Sequence, residues 1–299
     1  MGESKTVVAS TIQLTYSTMN QNFLDYMFIT NNPKVAVVAQ DCGVKRVWID
    51  LETLGKEERQ KGMNTVKSRH SLSDISLLRG VIDKSDLLVR INPINPGSKE
   101  EINEAVERGA DMLMLPMFKS VEEVETFLDL VKGRVKTTLL FETKESYELQ
   151  DKILDLGGFD EAHIGLNDMH LSYGLTFMFE LLSNGLVETM CKKFKEYNVP
   201  YGFGGIAKIG EGLLPAECII AEHFRLGSTR AILSRSFCDN QYVDYDKWKY
   251  EFQLGVNQIR LYESLLPLLP DSYFTENIEN VKKGVDKVVN IIKAKRNGN

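Results

Sequence analysis

No apolar stretch among these 299 residues approaches the ~20 that a helix needs to cross a bilayer, so hydropathy gives no reason to expect a membrane protein. Cysteine is scarce. Cys42, Cys191, Cys218 and Cys238 stand apart with no C-x-x-C pair, which excludes a zinc-ribbon pattern or a disulfide framework and fits a reducing cytoplasm. There is no excess of positive charge either. A net charge of −6 argues against a nucleic-acid face, while leaving room for a local basic pocket around an anion. The opening MGESKTVVAS lacks the apolar core of a signal peptide. Met1, Gly2 and Thr6 fit the short M-G-x-x-x-[ST] myristoylation pattern, which recurs by chance in unrelated chains. Low-complexity segments, short-period repeats and clear linkers are all missing.

What is present is alternation. Short apolar runs at 24–30, 46–52, 87–92, 111–116, 135–143, 161–166, 199–205 and 223–228 are each followed by a helical or mixed segment. Helix signals recur between them. Asp74 sits in the first turn of a helix from Ser73, and Ser98 is a cap candidate for a helix closing near Gly109. Ser120 and Glu123 have capping-box spacing, and a long helix is expected near 177–198. Eight β-like runs so spaced imply a closed parallel sheet, a single (β/α)8 TIM barrel. Such a barrel needs ~250 residues, so the expected plan is an N-terminal extension over 1–23, the barrel over 24–240 and additional C-terminal helices over 241–299. One C-terminal helix runs from Tyr245 to about Leu266, with Trp248, Phe252 and Ile259 on one face. The other carries a stripe of Ile278, Val281, Val285, Val288 and Ile292. These faces fit packing onto the barrel or exchange between subunits. The basic end KAKRNGN suits a helix C-terminus.

A TIM barrel builds its site at the C-terminal ends of its strands, so the residues just past each run matter most. They are Glu52 on the second, Arg90 with Asn92 on the third, Glu142 with Thr143 on the fifth, and Asn167 with Asp168 on the sixth. Gly204 and Gly205 end the seventh and Gly227 and Ser228 the eighth, where backbone N–H groups could hold an anion. Glu142 and Asp168 come from consecutive strands, which lie about 4.8 Å apart. They could share one divalent cation, Mg²⁺ or Mn²⁺, with positions left for water and substrate. Arg90, roughly 10 Å away at the same spacing, would add the fixed cation that an enolate needs. The plainer reading makes Asp168 a cap or turn residue and Arg90 an ion-pair partner for nearby carboxylates.

LVRINP (88–93), GADMLMLPMFKSVEEVE (109–125), LLFETKES (139–146) and IGLNDMHLSYG (164–174), in that order, resemble the HpcH/HpaI aldolase and citrate lyase beta-chain family. The resemblance spans roughly residues 24 to 230. It implies a metal-dependent barrel acting on 2-oxo acids or related enolates, with Glu142 and Asp168 as metal ligands and Arg90 polarising the keto oxygen. The backbone from Gly165 through Leu166 to Asn167 would line the substrate carboxylate. It also implies a homo-oligomer, a trimer or hexamer, often with an exchanged C-terminal helix. Two departures stand out. The family's D-x-E-H becomes Asp50-Leu51-Glu52-Thr53, so its histidine is missing in place; His70, at the end of a polar insertion, could supply the imidazole, and Glu52 could orient water on the metal. Leu166 stands where the family has proline.

The resulting expectation is a divalent-metal-dependent carbon–carbon lyase, an aldolase making or cleaving a 2-oxo acid through a pyruvate-type enolate. The expected partner is a small anionic substrate, with no nucleic acid and no membrane. Alternatives are a citrate-lyase-like acyl-CoA or phosphoenolpyruvate enzyme at the same site, or a non-catalytic metabolite-binding barrel. GFGGIA (202–207) matches a loose dinucleotide fingerprint but falls too late for a doubly wound domain. His163 reads as a core histidine.

Overall fold

The computed structural model describes residues 24–55, 70–238 and 243–297. Met1, Gly2 and Thr6, the expected N-terminal extension and most of the polar insertion before His70 lie outside them. Eight parallel strands close into a barrel in sequence order: β1 (Asp25–Ile29), β2 (Arg46–Asp50), β3 (Asp86–Arg90), β4 (Met112–Leu115), β5 (Lys136–Phe141), β6 (Glu161–Ile164), β7 (Tyr201–Ile206) and β8 (Arg230–Leu233). The described helices are α1 (Pro33–Asp41), α2 (Leu72–Arg79), α3 (Ser98–Glu107), α4 (Val121–Val131), α5 (Lys144–Glu148), α6 (Gln150–Leu156), α7 (Leu166–Ser172), α8 (Glu180–Ser183), α9 (Leu186–Glu196), α10 (Ala216–Leu226), α11 (Tyr245–Leu265) and α12 (Asp271–Asn297).

The helices start where the chain supplies an acceptor for their orphan N–H groups. Asn32 Oδ1 accepts from Lys34 N at 3.0 Å, Ser120 Oγ from Glu123 N at 3.3 Å and Thr143 Oγ1 from Ser146 N at 2.9 Å. At α2 the Asp74 carboxylate reaches back to the Ser71 N–H at 2.7 Å, so the helix begins one residue before Ser73. Ser98 is the first residue of α3, with Gly97 as its cap.

Two expectations fail. The run at 223–228 is not the eighth strand: His223 to Leu226 close the amphipathic helix α10, Gly227 ends it at φ +73°, and β8 follows at Arg230. The long helix near 177–198 is two, because Gly185 at φ +86° breaks it between α8 and α9. The glycines of GFGGIA lie inside β7 rather than in a loop opening a helix, and α10 begins only at Ala216. That removes the geometry a dinucleotide fingerprint requires.

Strand alternation sorts side chains into two cores. Val47, Ile49, Leu87, Val89, Leu113, Leu115, Leu139 and Phe141 face the helices and belong to the main core. Met27, Trp48, Leu88, Met112, Met114 and Leu140 form a separate buried cluster filling the barrel interior. Below that cluster, at the N-terminal ends of β2, β6 and β8, Glu161 ties two arginines together. Arg46 Nη2 donates to its Oε2 at 2.9 Å and Arg230 Nε at 2.6 Å. α11 seals β1 by burying Trp248, Phe252 and Ile259. It is pinned by Tyr26, whose hydroxyl donates to Glu263 at 2.8 Å beneath the Arg260 guanidinium. α12 buries Val281, Val285 and Val288 and lies against α8 and α10 of its own chain. Among the described residues no helix is long and apolar enough to cross a membrane.

Candidate functional site

Period-2 alternation carries Arg46, Trp48 and Asp50 to the inside of β2, and Leu88 and Arg90 to the inside of β3. Asp50 and Arg90 are register partners at the upper edge of the two strands. Their side chains form a bidentate pair, Nε to Oδ1 at 2.9 Å and Nη2 to Oδ2 at 2.9 Å, and Nη2 also lies 3.3 Å from Glu52 Oε2. The guanidinium sits 5.2 Å from the centroid of the Trp48 ring, which forms an apolar floor beneath it. Burial alone would lower the pKa of Arg90. The charges of Asp50 and Glu52, the hydrogen bonds to Asp50 and the charge of Glu142 outweigh it and hold the group above its ordinary value. Arg90 is therefore a permanent cation within reach of carboxylates from both β2 and β5.

Asp50 organises the corner, a role that the residues just past each strand do not reveal because Asp50 lies within β2. Beyond binding Arg90, its Oδ1 accepts the Glu52 N–H at 3.2 Å, and its own backbone N–H donates to Nδ1 of His70 at 3.0 Å. The insertion thus returns His70 to the end of β2, and the hydrogen bond fixes its neutral tautomer with the proton on Nε2. Glu52, 1 % exposed, is an Arg90 partner. Asn92 is occupied in shaping the loop after β2, its Oδ1 accepting from Thr53 N at 2.9 Å and Leu54 N at 3.0 Å while its amide donates to Glu101.

Glu142, 2 % exposed, follows β5 on the same inward face as Leu140. Its Oε1 accepts the Met117 N–H from the loop after β4 at 3.2 Å. On its other side stands Gly165, where a Cβ would come within 2.8 Å of both Glu142 Cβ and Oε2. Gly165 caps α7, whose first turn carries Asn167 and Asp168, both half-buried. The structure thus sets Glu142 against the residue that starts the Asp168 turn. Leu166 is buried over Gly204, where a Cβ would stand 2.7 Å from Leu166 Cδ1. Gly204 gives its carbonyl to His163 Nε2 at 3.2 Å, and Gly205 pairs with Ile232. All three have packing reasons for their identity. His163 is a core residue pushed down to about 3 by burial, against the lift from its hydrogen bond to Gly204 and with Arg46 and Arg230 adding to the fall. His170 is buried too, its Nδ1 donating back to the Leu166 carbonyl at 3.3 Å.

The anion seat expected at Gly227 and Ser228 does not exist at this end. Both lie before β8, at the opposite mouth of the barrel, and their N–H groups donate to Phe224 and His223 carbonyls.

Among the described residues no group of three or more His, Cys, Asp or Glu side chains could hold a metal ion. The donor set at this mouth is at most a pair of carboxylates. That fits Mg²⁺ or Mn²⁺, which keep several positions for water and substrate, better than an ion caged by protein ligands.

No protein-family model matches the chain, and a search of curated proteins returns no match. Solved structures do resemble it. A HpcH/HpaI aldolase/citrate lyase family protein from Burkholderia cenocepacia J2315 superposes with a TM-score of 0.57 at 12% identity, covering 76% of this chain and 94% of that one. A HpcH/HpaI aldolase from Desulfitobacterium hafniense DCB-2 gives 0.53 at 13% identity, covering 79% and 93%. A variant of the citrate synthase SbnG gives 0.52 at 16% identity, covering 73% and 89%. At these identities the likeness is one of fold.

Proposed function

We propose that this chain is a carbon–carbon lyase of the aldolase type, acting on a 2-oxo acid through a pyruvate-type enolate. The observation that carries this reading is the buried cation Arg90 at the C-terminal mouth, held by Asp50 and Glu52 and electrostatically coupled to Glu142. The likeness in fold to aldolase and citrate synthase structures supports it. Glu142 and Asp168 would hold Mg²⁺ or Mn²⁺, and the bound ion would supply Lewis-acid polarisation of the keto group.

The chain's own residues define the rest. Arg90, fixed on two carboxylates over an indole floor, faces the negative charge that develops on the enolate oxygen without having to reorient. The first N–H groups of α7, which a helix cannot satisfy internally, suit the substrate carboxylate. His70 presents an Nε2–H because Nδ1 is occupied by the Asp50 N–H. In that tautomer it would donate to oxygen, and the proton that leaves the substrate methyl group would pass to water in the site. The homo-oligomer and the intracellular setting expected from sequence remain part of the proposal.

The test is methyl-proton exchange. With Mg²⁺ or Mn²⁺ present, the protein should catalyse deuterium incorporation into the methyl group of pyruvate, and Glu142→Ala and Asp168→Ala should abolish it with the fold intact. Absence of exchange with either ion would end the pyruvate-enolate reading and leave the acyl-CoA or phosphoenolpyruvate enzyme or a metabolite-binding barrel.

A further inference from the structure

Met117 is a non-glycine residue in the left-handed region, at φ +55°, on the loop between β4 and α4. For a side chain such as methionine this conformation costs about 1 kcal/mol or more, so something must hold it. Two hydrogen bonds do, and both run to the end of β5. The Met117 N–H donates to Glu142 Oε1 at 3.2 Å, and the Thr143 hydroxyl donates to the neighbouring Phe118 carbonyl at 3.0 Å. The loop's far end is tied as well, with Lys119 N donating to Glu123 Oε2 at 2.6 Å. The strained turn therefore points one backbone N–H at one oxygen of a buried carboxylate. The opposite oxygen of that carboxylate borders Gly165.

We infer that Met117 is a positioning residue whose left-handed backbone, and not its side chain, clamps Glu142 in the orientation that binds the divalent ion. The inference rests on the proposed role of Glu142. What it adds is that the loop after β4, which places no side chain on the ion, sets the ligand geometry. With Oε1 taken by the Met117 N–H, Oε2 is turned toward Gly165 and the Asp168 turn.

The test separates backbone from side chain. Mn²⁺ binding to the full chain is titrated by electron paramagnetic resonance in wild type, Met117→Gly, Met117→Asn and Met117→Val, with circular dichroism checking the fold. Glycine adopts positive φ without cost, asparagine tolerates it, and a β-branched residue resists it. The clamp predicts affinities for the glycine and asparagine variants within about twofold of wild type. For the valine variant it predicts binding about tenfold weaker, the lower end of what a hydrogen bond to a charged group is worth. If the Met117 side chain mattered instead, glycine would be the worst of the three and valine the best, and that order would overturn the inference. Equal affinity in all four proteins would overturn it too. If wild type itself binds no Mn²⁺, the metal reading of Glu142 falls first and the clamp with it, an outcome distinct from a wild type that binds while the variants disobey the order.

Discussion

Gly165→Ala probes the packing at the centre of the site. Gly165 sits at φ −82°, ψ 86°, a backbone that any residue can adopt, so the substitution meets no conformational objection. Taken alone, the loss of glycine's freedom in the unfolded chain would stabilise the protein by about 0.4–1 kcal/mol. The space decides otherwise. An added Cβ would lie 2.8 Å from Glu142 Cβ, 2.8 Å from Glu142 Oε2 and 3.2 Å from Leu140 Cδ1, against a comfortable carbon–carbon contact of about 3.5–4.0 Å. Glu142 cannot simply swing away, being buried with Oε1 held by the Met117 N–H. Overpacking of this kind costs about 1–3 kcal/mol, so the net loss should be about 1–2 kcal/mol, a fall in Tm of a few degrees for a chain of this size. Differential scanning calorimetry reads the stability, and a Mn²⁺ titration reads the displaced carboxylate, which should bind more weakly. A variant as stable as wild type with unchanged Mn²⁺ affinity would refute the claim that Gly165 leaves its space for Glu142.

Two further outcomes follow from the opposite end of the barrel. Glu161→Gln leaves the buried Arg46 and the half-buried Arg230 without their shared counter-charge and should cost about 3–5 kcal/mol in urea unfolding; a loss under about 1 kcal/mol would mean the arginines find solvent instead. His163 is neutral in the folded state down to about pH 3 but titrates near 6.5 when unfolded. The unfolded chain therefore binds more protons in that window, and stability present above pH 6.5 is lost as pH falls toward 3. That is about 2 kcal/mol from this one group between pH 6.5 and pH 5, so His163→Gln should flatten the pH dependence of urea unfolding there, and an unchanged slope would refute it.

The barrel was legible because its signal is repeated. Period-2 apolar runs between amphipathic helices leave few other architectures, and the two extra helices declared themselves by stripes at helical spacing. The eighth strand was misplaced because His223-Phe224-Arg225-Leu226 looks like a strand in isolation. Only the longer period from Ala216 makes it the last turn of a helix, and RAIL is too short to compete. Asp50 escaped for a different reason. It is the last inward position of its own strand, and its importance appears only when Arg90, forty residues on, comes into register with it. The same holds for the glycines. Gly202 must lack a side chain because a Cβ would lie 2.3 Å from the Arg230 carbonyl, and Gly204 because Leu166 occupies its space. These are facts about partners distant in sequence, which local pattern cannot reveal.

The interior of the barrel also explains why charge can be concentrated at one mouth. Arg46, Glu161 and Arg230 close the lower end, while the apolar layer of Met27, Trp48, Leu88, Met112, Met114 and Leu140 separates them from Asp50, Arg90 and Glu142 above. Interactions in such surroundings are screened less than at a surface, so the upper charges act strongly on one another and on whatever enters from solvent. Arg90 cannot relax downward, because Trp48 and the apolar layer lie beneath it, nor sideways, because Asp50 holds it by two bonds. A cation fixed in this way pays its reorganisation in folding rather than during a reaction. That rigidity is what the proposed role of Arg90 opposite a transient negative charge requires.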